Sequence, residues 1–176
     1  MELNLHTLIW LFPIIFVLHD FEEIIMLEKW MAKNRGIIKK VLPERLANNV
    51  VKQFSMTTAQ MSVAVLIVFL FVCSSTFMAS QYANGGLLSN IHYFTVVVLI
   101  FLLHVFTHVG QSILFRSITP GVITSIFLVL PYSLAMLNAL FEHRVIDWDT
   151  IYFYLPFVIL ALPIVLAAHW IGKRVV

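Results

Sequence analysis

Charged residues are scarce in this sequence and make up only 11% of its 176 residues. A soluble domain usually carries about 25% charged residues, which cover its surface. Because the hydrophobic share here is 61%, most of the surface must face lipid. The shortage of charge therefore excludes an ordinary soluble domain and predicts an integral membrane protein.

Cysteine is almost absent too, since Cys73 alone lies in an apolar run and can form no internal disulfide. The net charge of +2 is small, and most basic residues sit in one block, so we expect no nucleic-acid partner. The amino terminus has no basic segment, and no small-residue cleavage site follows its first apolar run. These absences predict a retained first helix instead of a cleaved signal peptide.

Long apolar stretches dominate the chain, and a helix needs about 20 such residues to cross a bilayer. Turn signals separate several of them, notably Asn84-Gly85-Gly86 and Thr119-Pro120-Gly121. The pattern predicts an all-α membrane protein in which residues 1–176 form a single transmembrane helical domain. The bundle should contain about five transmembrane helices, at about 7–27, 56–82, 91–115, 121–141 and 150–171.

The segment 28–55 is different, because basic residues alternate there with apolar ones. Pro43 followed by Glu44 favours a helix start, and the run after them has one apolar face. We interpret 28–55 as a cytoplasmic segment with a basic amphipathic helix at the membrane surface; a solvated charged loop is the alternative. With 28–55 inside, Arg144 is the only one of 11 basic residues left outside. The positive-inside rule then gives an outer N-terminus and an inner C-terminus, and we expect a bacterial plasma membrane.

Four ionisable residues lie close together near the inner end of the first span: His19, Asp20, Glu22 and Glu23. A charged residue at membrane depth costs roughly 2.5–3.5 kcal/mol, so such residues need partners. At 100° per residue, His19, Glu22 and Glu23 share one buried face of a helix, and Asp20 falls at its edge. This face is the first half of a candidate site.

The third span supplies a second polar group, His104 and His108, which lie four residues apart. Two imidazoles at this spacing on a helix can bind one metal ion. His108 lies at the inner end of its span, as His19 does, and the two depths agree within about one helical turn. The inner ends of the fourth and fifth spans add Thr124 and His169. The polar groups therefore converge in the cytoplasmic leaflet.

Carboxylates and imidazoles together suit zinc or non-haem iron, which take nitrogen and oxygen ligands. We favour zinc, with iron in a mononuclear or dinuclear site as the alternative. Glu22 is also the candidate general base, and Arg116 could orient an anionic headgroup or a developing oxyanion. The candidate metal ligands are His19, Glu22, Glu23, His104, His108 and His169.

These residues support a metal-dependent membrane enzyme that carries out hydrolysis or group transfer on a lipid or other apolar substrate. One alternative is a non-haem iron membrane oxidoreductase. Others are a proton or metal carrier and a structural subunit whose buried polar pairs join helices. The sequence leaves the substrate, the oligomeric state and the division of roles between Glu22 and Glu23 open.

The string His19-Asp-Phe-Glu22-Glu23 in a small apolar chain resembles the HXXEE-domain family of integral membrane proteins. That family is described as carrying a further histidine and an arginine, and an enzymatic role has been suggested for it. The resemblance implies that His104 or His108 is the further histidine and that Arg116 is the arginine. It implies no substrate, and the hypothesis of a metal rests on spacing and depth.

Overall fold

The computed structural model describes residues 4–83 and 85–176, and within these ranges the chain is helical and contains no strand. Asn84, the first residue of the predicted turn Asn84-Gly85-Gly86, lies outside the described residues. The predicted all-α fold class is confirmed. The helices are α1 Leu5–Val41, α2 Glu44–Phe54, α3 Thr58–Ala83, α4 Ile91–Phe115, α5 Val122–Glu142 and α6 Trp148–Val175.

Four of these helices, α3 to α6, are long and apolar enough to cross a membrane. They coincide with the four predicted spans between residues 56 and 171, with ends that agree within a few residues. The fifth predicted span, 7–27, lies within α1, which is not one of the four. The structure thus supports an integral membrane protein with four candidate spans.

Helix α1 continues far beyond residue 27 and ends only at Val41. The first half of the basic segment is therefore an extension of α1 and does not form a separate element. Pro43 explains the end, because a proline disfavours helical backbone in the residue before it. Leu42 accordingly is extended, with φ −99° and ψ 150°.

The predicted helix after Pro43 is present as α2, which starts at Glu44. Ala47 is its buried contact, and it belongs to an apolar cluster with Ile38 of α1 and Met61 of α3. Lys173 of α6 donates hydrogen bonds to the carbonyl oxygens of Lys52 and Gln53, at 2.5 and 2.7 Å, at the far end of α2. Helix α2 is thus held against the bundle at both ends, and its position at the membrane surface stays a prediction.

Aromatic rings form the centre of the bundle around Phe12 of α1, which has no exposed surface. Its ring meets Phe94 and Phe101 of α4 edge to face, with centroids 5.4 Å apart in both cases. Tyr132 of α5 stacks on it at 5.7 Å and donates a hydrogen bond to the carbonyl of Leu8. This packing fixes α1, α4 and α5 against one another two turns before His19.

Helix α6 approaches α3 at Gly172, where a Cβ atom would lie 2.4 Å from the carbonyl oxygen of Gln60. Only a glycine allows the two backbones to come this close. The contact brings the buried His169, one turn earlier on α6, towards the interior of the bundle.

The start of α5 is irregular. Gly121 precedes it with φ +82°, and five residues, Ser125–Val129, form a π-helical segment within it. Such segments occur often at functional sites. The irregular backbone lies directly beside the polar residues of α1.

Candidate metal centre

His19 of α1 and the two histidines of α4 come together around one carboxylate oxygen, Oε1 of Glu23. The Nε2 atoms of His108, His104 and His19 lie 2.8, 3.2 and 3.5 Å from it. His104 and His108 approach each other at 2.7 Å between their Nε2 atoms. The helical spacing explains this, because His19 and Glu23 are one turn apart on α1, as are His104 and His108 on α4.

All four ligand atoms lie within 4.8 Å of one another. Ligands at about 2.0–2.1 Å from a tetrahedral zinc ion would be separated by about 3.3–3.4 Å. The distances from Oε1 of Glu23 to the three nitrogens, and between the two nitrogens of α4, run from 2.7 to 3.5 Å and bracket that value. Three imidazole nitrogens and one carboxylate oxygen are also a donor set that zinc and iron accept. The cluster of His19, Glu23, His104 and His108 could therefore hold a metal ion.

The tautomer of His19 is fixed by its neighbours. The hydroxyl of Thr124 donates to Glu22 at 2.5 Å, so its oxygen can only accept from Nδ1 of His19, 3.0 Å away. The Nδ1 atom therefore carries a proton, and in neutral His19 the lone pair on Nε2 points into the cluster. In this chain of hydrogen bonds, His19 donates to Thr124 and Thr124 donates to the carboxylate of Glu22. Metal-binding histidines typically have such a partner on the ring nitrogen that faces away from the metal.

Two buried nitrogens of the cluster, Nε2 of His19 and Nδ1 of His108, have no hydrogen-bond partner among residues 4–83 and 85–176. Nε2 of His19 lies 3.5 Å from Oε1 of Glu23. If His19 is protonated, the two atoms form an ion pair that joins α1 internally. If His19 is neutral, two lone pairs face each other, and a cation between them would remove this unfavourable contact.

One member of the cluster is accessible. The side chain of His104 is 42% exposed, compared with 1% for His19 and 6% for His108. Thr107, one turn further on, donates to the carbonyl of His104. The cluster is thus buried on the side of α1 and open on the side of His104.

The loop before α5 closes the other side of the cluster. A Cβ atom on Gly121 would lie 2.7 Å from Cε1 of His108 and 3.0 Å from Oε1 of Glu23. Thr119, which is 1% exposed, donates to the carbonyl of His108 at 3.3 Å and pairs with Ser112. The sequence indicated only a turn here, and neither the contact with His108 nor the π segment could be seen in it.

Glu22, predicted as a ligand or base, does not point to the cluster. Its carboxylate accepts from the backbone N–H groups of Ile123 and Thr124, at 3.2 and 2.7 Å, and from the Thr124 hydroxyl. It thereby satisfies N–H groups at the start of α5 that have no partner within the helix. The two glutamates of the motif have different surroundings.

The other two predicted site residues also lie outside the cluster. His169 is buried and 3.0 Å from the side-chain amide nitrogen of Gln53 on α2, and it lines the cavity beside the cluster. Arg116 ends α4 in a left-handed conformation, with φ 48°. Its side chain is exposed and has no hydrogen bond or ion pair within the described chain.

Asp20 is a residue whose position the sequence did not predict. It is 8% exposed, and its Oδ2 atom has no hydrogen-bond partner within the described ranges. It lines the same cavity as His169, of about 130 Å³. The helical wheel placed Asp20 at the edge of the polar face, and the packing of α3 and α6 brings that edge inside.

Comparison with known proteins agrees with the motif. Searches of curated proteins and of solved structures found no match. The model of a family described as a protein of unknown function with an HXXEE motif matches residues 10–136, which include both halves of the cluster. This chain therefore belongs to the HXXEE family.

Proposed function

We propose that this protein is a metal-dependent integral membrane enzyme whose metal ion lies between α1 and α4. The observation that carries the proposal is the convergence of three imidazole Nε2 atoms on Oε1 of Glu23. The orientation of His19 by Thr124 supports it, because this leaves a lone pair directed at the cluster.

In the proposed site, His19, His104 and His108 hold the ion. Glu23 is the fourth ligand or the general base, and Glu22 acts through Thr124 as a positioning residue. Zinc held by three histidines would keep a position for water and would make that water more acidic. Glu23, in contact with all three imidazoles, would be placed to act as the general base.

The reaction class that follows is hydrolysis or group transfer on a lipid or other apolar substrate, since the cluster adjoins a largely apolar cavity. Non-haem iron, in a mononuclear or dinuclear site, is the alternative and would give an oxidoreductase. In a dinuclear site, His169 and Asp20 would be the candidate ligands of the second ion, because both line that cavity.

The membrane arrangement is part of the proposal. We take α1 as a fifth span and place the N-terminus outside and the C-terminus inside, with α2 at the cytoplasmic surface of a bacterial plasma membrane. The support is the distribution of basic residues, of which Arg144 alone lies on the proposed outer side. The metal centre would then lie in the cytoplasmic half of the bilayer.

The decisive experiment is elemental analysis of the purified, folded protein in lipid nanodiscs. We expect zinc or iron in stoichiometric amount, lost in His19→Ala, His108→Ala and Glu23→Gln. The matched control is His143→Ala, which removes a histidine at the other end of α5. A folded wild-type protein that binds none of these metals would sink the proposal and favour a structural subunit.

A metal carrier would also contain metal, so a second measurement is needed. Proteoliposomes loaded with a zinc-sensitive dye should show no uptake above that of the His108→Ala variant. Uptake that depends on His108 would assign the site to transport.

A further inference from the structure

Two neighbouring cavities lie along α3, α4 and α6. The inner cavity, of about 130 Å³, is lined by residues of α1, α3, α4 and α6, among them three of the four cluster residues. The outer cavity, of about 390 Å³, lies between α3, α4 and α6. The two share five lining residues: Val68, Val72, Val97, Ile100 and Val165. We call the two cavities and the wall that they share the apolar path.

The apolar path has polar groups at its two ends and a hydrocarbon-like wall between them. At the inner end lie the cluster, Asp20 and His169. At the far end lie Asn90, His92 and the ring of Tyr154. Between these ends the shared wall is made of valine and isoleucine alone. A wall of this kind matches a hydrocarbon chain, whose burial stabilises a complex by about 0.8 kcal/mol per methylene.

The inner end also restricts the head group. Asp20 is more than nine-tenths buried, with an Oδ2 atom that lacks a partner among the described residues. No lysine or arginine is among the described residues that line either cavity. A phosphate or carboxylate head would therefore find no lysine or arginine there to pair with. A neutral hydroxyl or amide head could instead pair with Asp20.

We propose that the ligand of this path is a single-chain amphiphile with an uncharged hydrogen-bonding head, such as a fatty alcohol, amide or ester. Its chain occupies the apolar path, and its head lies at Asp20 beside the metal centre. This inference rests on the proposed function for the reaction, but the chain site itself requires no metal. The exposed side of His104 gives the head a lateral way in from the bilayer.

The test uses hexadecan-1-ol carrying a diazirine at mid-chain, with the full-length protein in phosphatidylcholine nanodiscs. After illumination, mass spectrometry should locate the label on residues of the shared wall. Val165→Trp fills both cavities and should reduce labelling by roughly fivefold or more, since close-packed interiors leave no room for both groups. Leu166→Trp is the matched control, because residue 166 is 43% exposed and lies outside both linings.

A second pair of variants shows whether a loss of labelling comes from the filled cavity or from misfolding. Ala161→Phe narrows the outer cavity, and Leu162→Phe places the same ring on an exposed position. Labelling should fall in the first and persist in the second. Equal labelling in wild type and in both filled variants, or label spread over the lipid-facing residues 162 and 166, would overturn the chain site.

Competition tests the head group. Unlabelled hexadecan-1-ol or hexadecanamide should compete at roughly tenfold lower concentration than hexadecyl phosphate, a difference of about 1.4 kcal/mol. This preference should shrink in Asp20→Leu, which removes the oxygen atoms that pair with the head. Hexadecyl phosphate competing as well as the alcohol would overturn the uncharged head.

The same labelling, repeated in His108→Ala, separates this inference from the proposed function. Labelling should persist there, because His108 is not among the residues that line either cavity. A protein without metal that still binds the alcohol would contradict the enzyme and leave the chain site standing. A protein that contains metal but is not labelled would contradict the chain site and leave the proposed enzyme standing.

Discussion

Glu22 accepts two hydrogen bonds from Thr124, one from its backbone N–H at 2.7 Å and one from its hydroxyl at 2.5 Å. The hydroxyl oxygen in turn accepts a hydrogen bond from Nδ1 of His19, 3.0 Å away. The adjacent Glu23 contacts the imidazoles directly. The two glutamates of the HXXEE motif therefore have different roles. Glu23 lies in the cluster, and Glu22 orients the imidazole of His19 through the hydroxyl of Thr124.

The first prediction concerns that hydroxyl. Thr124→Val keeps the shape of the side chain but frees Nδ1 of His19, so the Nε2 lone pair is no longer fixed towards the cluster. We expect a loss of metal affinity of about 10- to 100-fold, as is usual when a group supporting a ligand histidine is removed. Competitive titration with a metal chelator measures it.

The matched control is Thr95→Val on α4, whose buried hydroxyl bonds only to the carbonyl of Ile91 in its own helix. That variant should keep the affinity of the wild type. Equal affinities in all three proteins would show that Thr124 does not act on the site.

A second prediction concerns Gly121. In Gly121→Ala the new methyl group would overlap Cε1 of His108 at 2.7 Å, and alanine disfavours the φ of +82° found there. The imidazole must shift, so we expect weaker metal binding together with a lower midpoint of thermal unfolding. Gly110→Ala is the control, because no atom lies within 4 Å of a Cβ at that exposed helical position. It should leave metal binding unchanged and stabilise the helix slightly.

The meeting of α1 and α4 could be predicted from sequence because helical periodicity is regular. His19 with Glu23 and His104 with His108 are both one turn apart, and residues one turn apart share a face. The division between Glu22 and Glu23 could not be predicted. Adjacent residues differ by 100°, and the direction in which each points depends on how α1 is rotated against α4 and α5.

The remaining differences also come from tertiary packing. Whether Asp20 lies inside depends on α3 and α6, which are distant in sequence. The contact of Gly121 with His108 depends on the path of a loop and on the π segment that follows it. The length of α1 was missed because the basic residues after 27 suggested an interfacial element, although no proline interrupts the helix before Pro43.

A third prediction concerns the attachment of α2. Lys173→Met removes the two hydrogen bonds to the carbonyls of Lys52 and Gln53. Each such bond contributes about 1 kcal/mol, so amide hydrogen exchange in α2 should accelerate by roughly tenfold or more. Lys40→Met, an exposed residue near the end of α1, is the control and should leave exchange in α2 unchanged. Unchanged protection of α2 in Lys173→Met would show that apolar contacts alone hold it.

The last prediction concerns pH and the exposed Glu28 on the extension of α1. Its carboxylate accepts from the backbone N–H of Thr58 at 2.7 Å and from the Thr58 hydroxyl at 2.9 Å, at the start of α3. These hydrogen bonds lower the pKa of Glu28 below its ordinary value. A carboxyl whose pKa is lower in the folded state stabilises the fold above its unfolded pKa of about 4.3, and that contribution is lost as pH falls through the lowered folded value.

The thermal midpoint of the wild type in nanodiscs should therefore exceed that of Glu28→Ala at pH 7, and the gap should close in the acid range below about pH 4. Glu44→Ala, which removes an exposed glutamate from the first turn of α2, controls for the loss of a charge in this region. The thermal midpoint, followed by loss of helical circular dichroism, gives the comparison at each pH. A gap between wild type and Glu28→Ala that stays constant down to pH 3 would mean that the contact with Thr58 does not depend on the charge of Glu28, and that neutral hydrogen bonding joins α1 to α3.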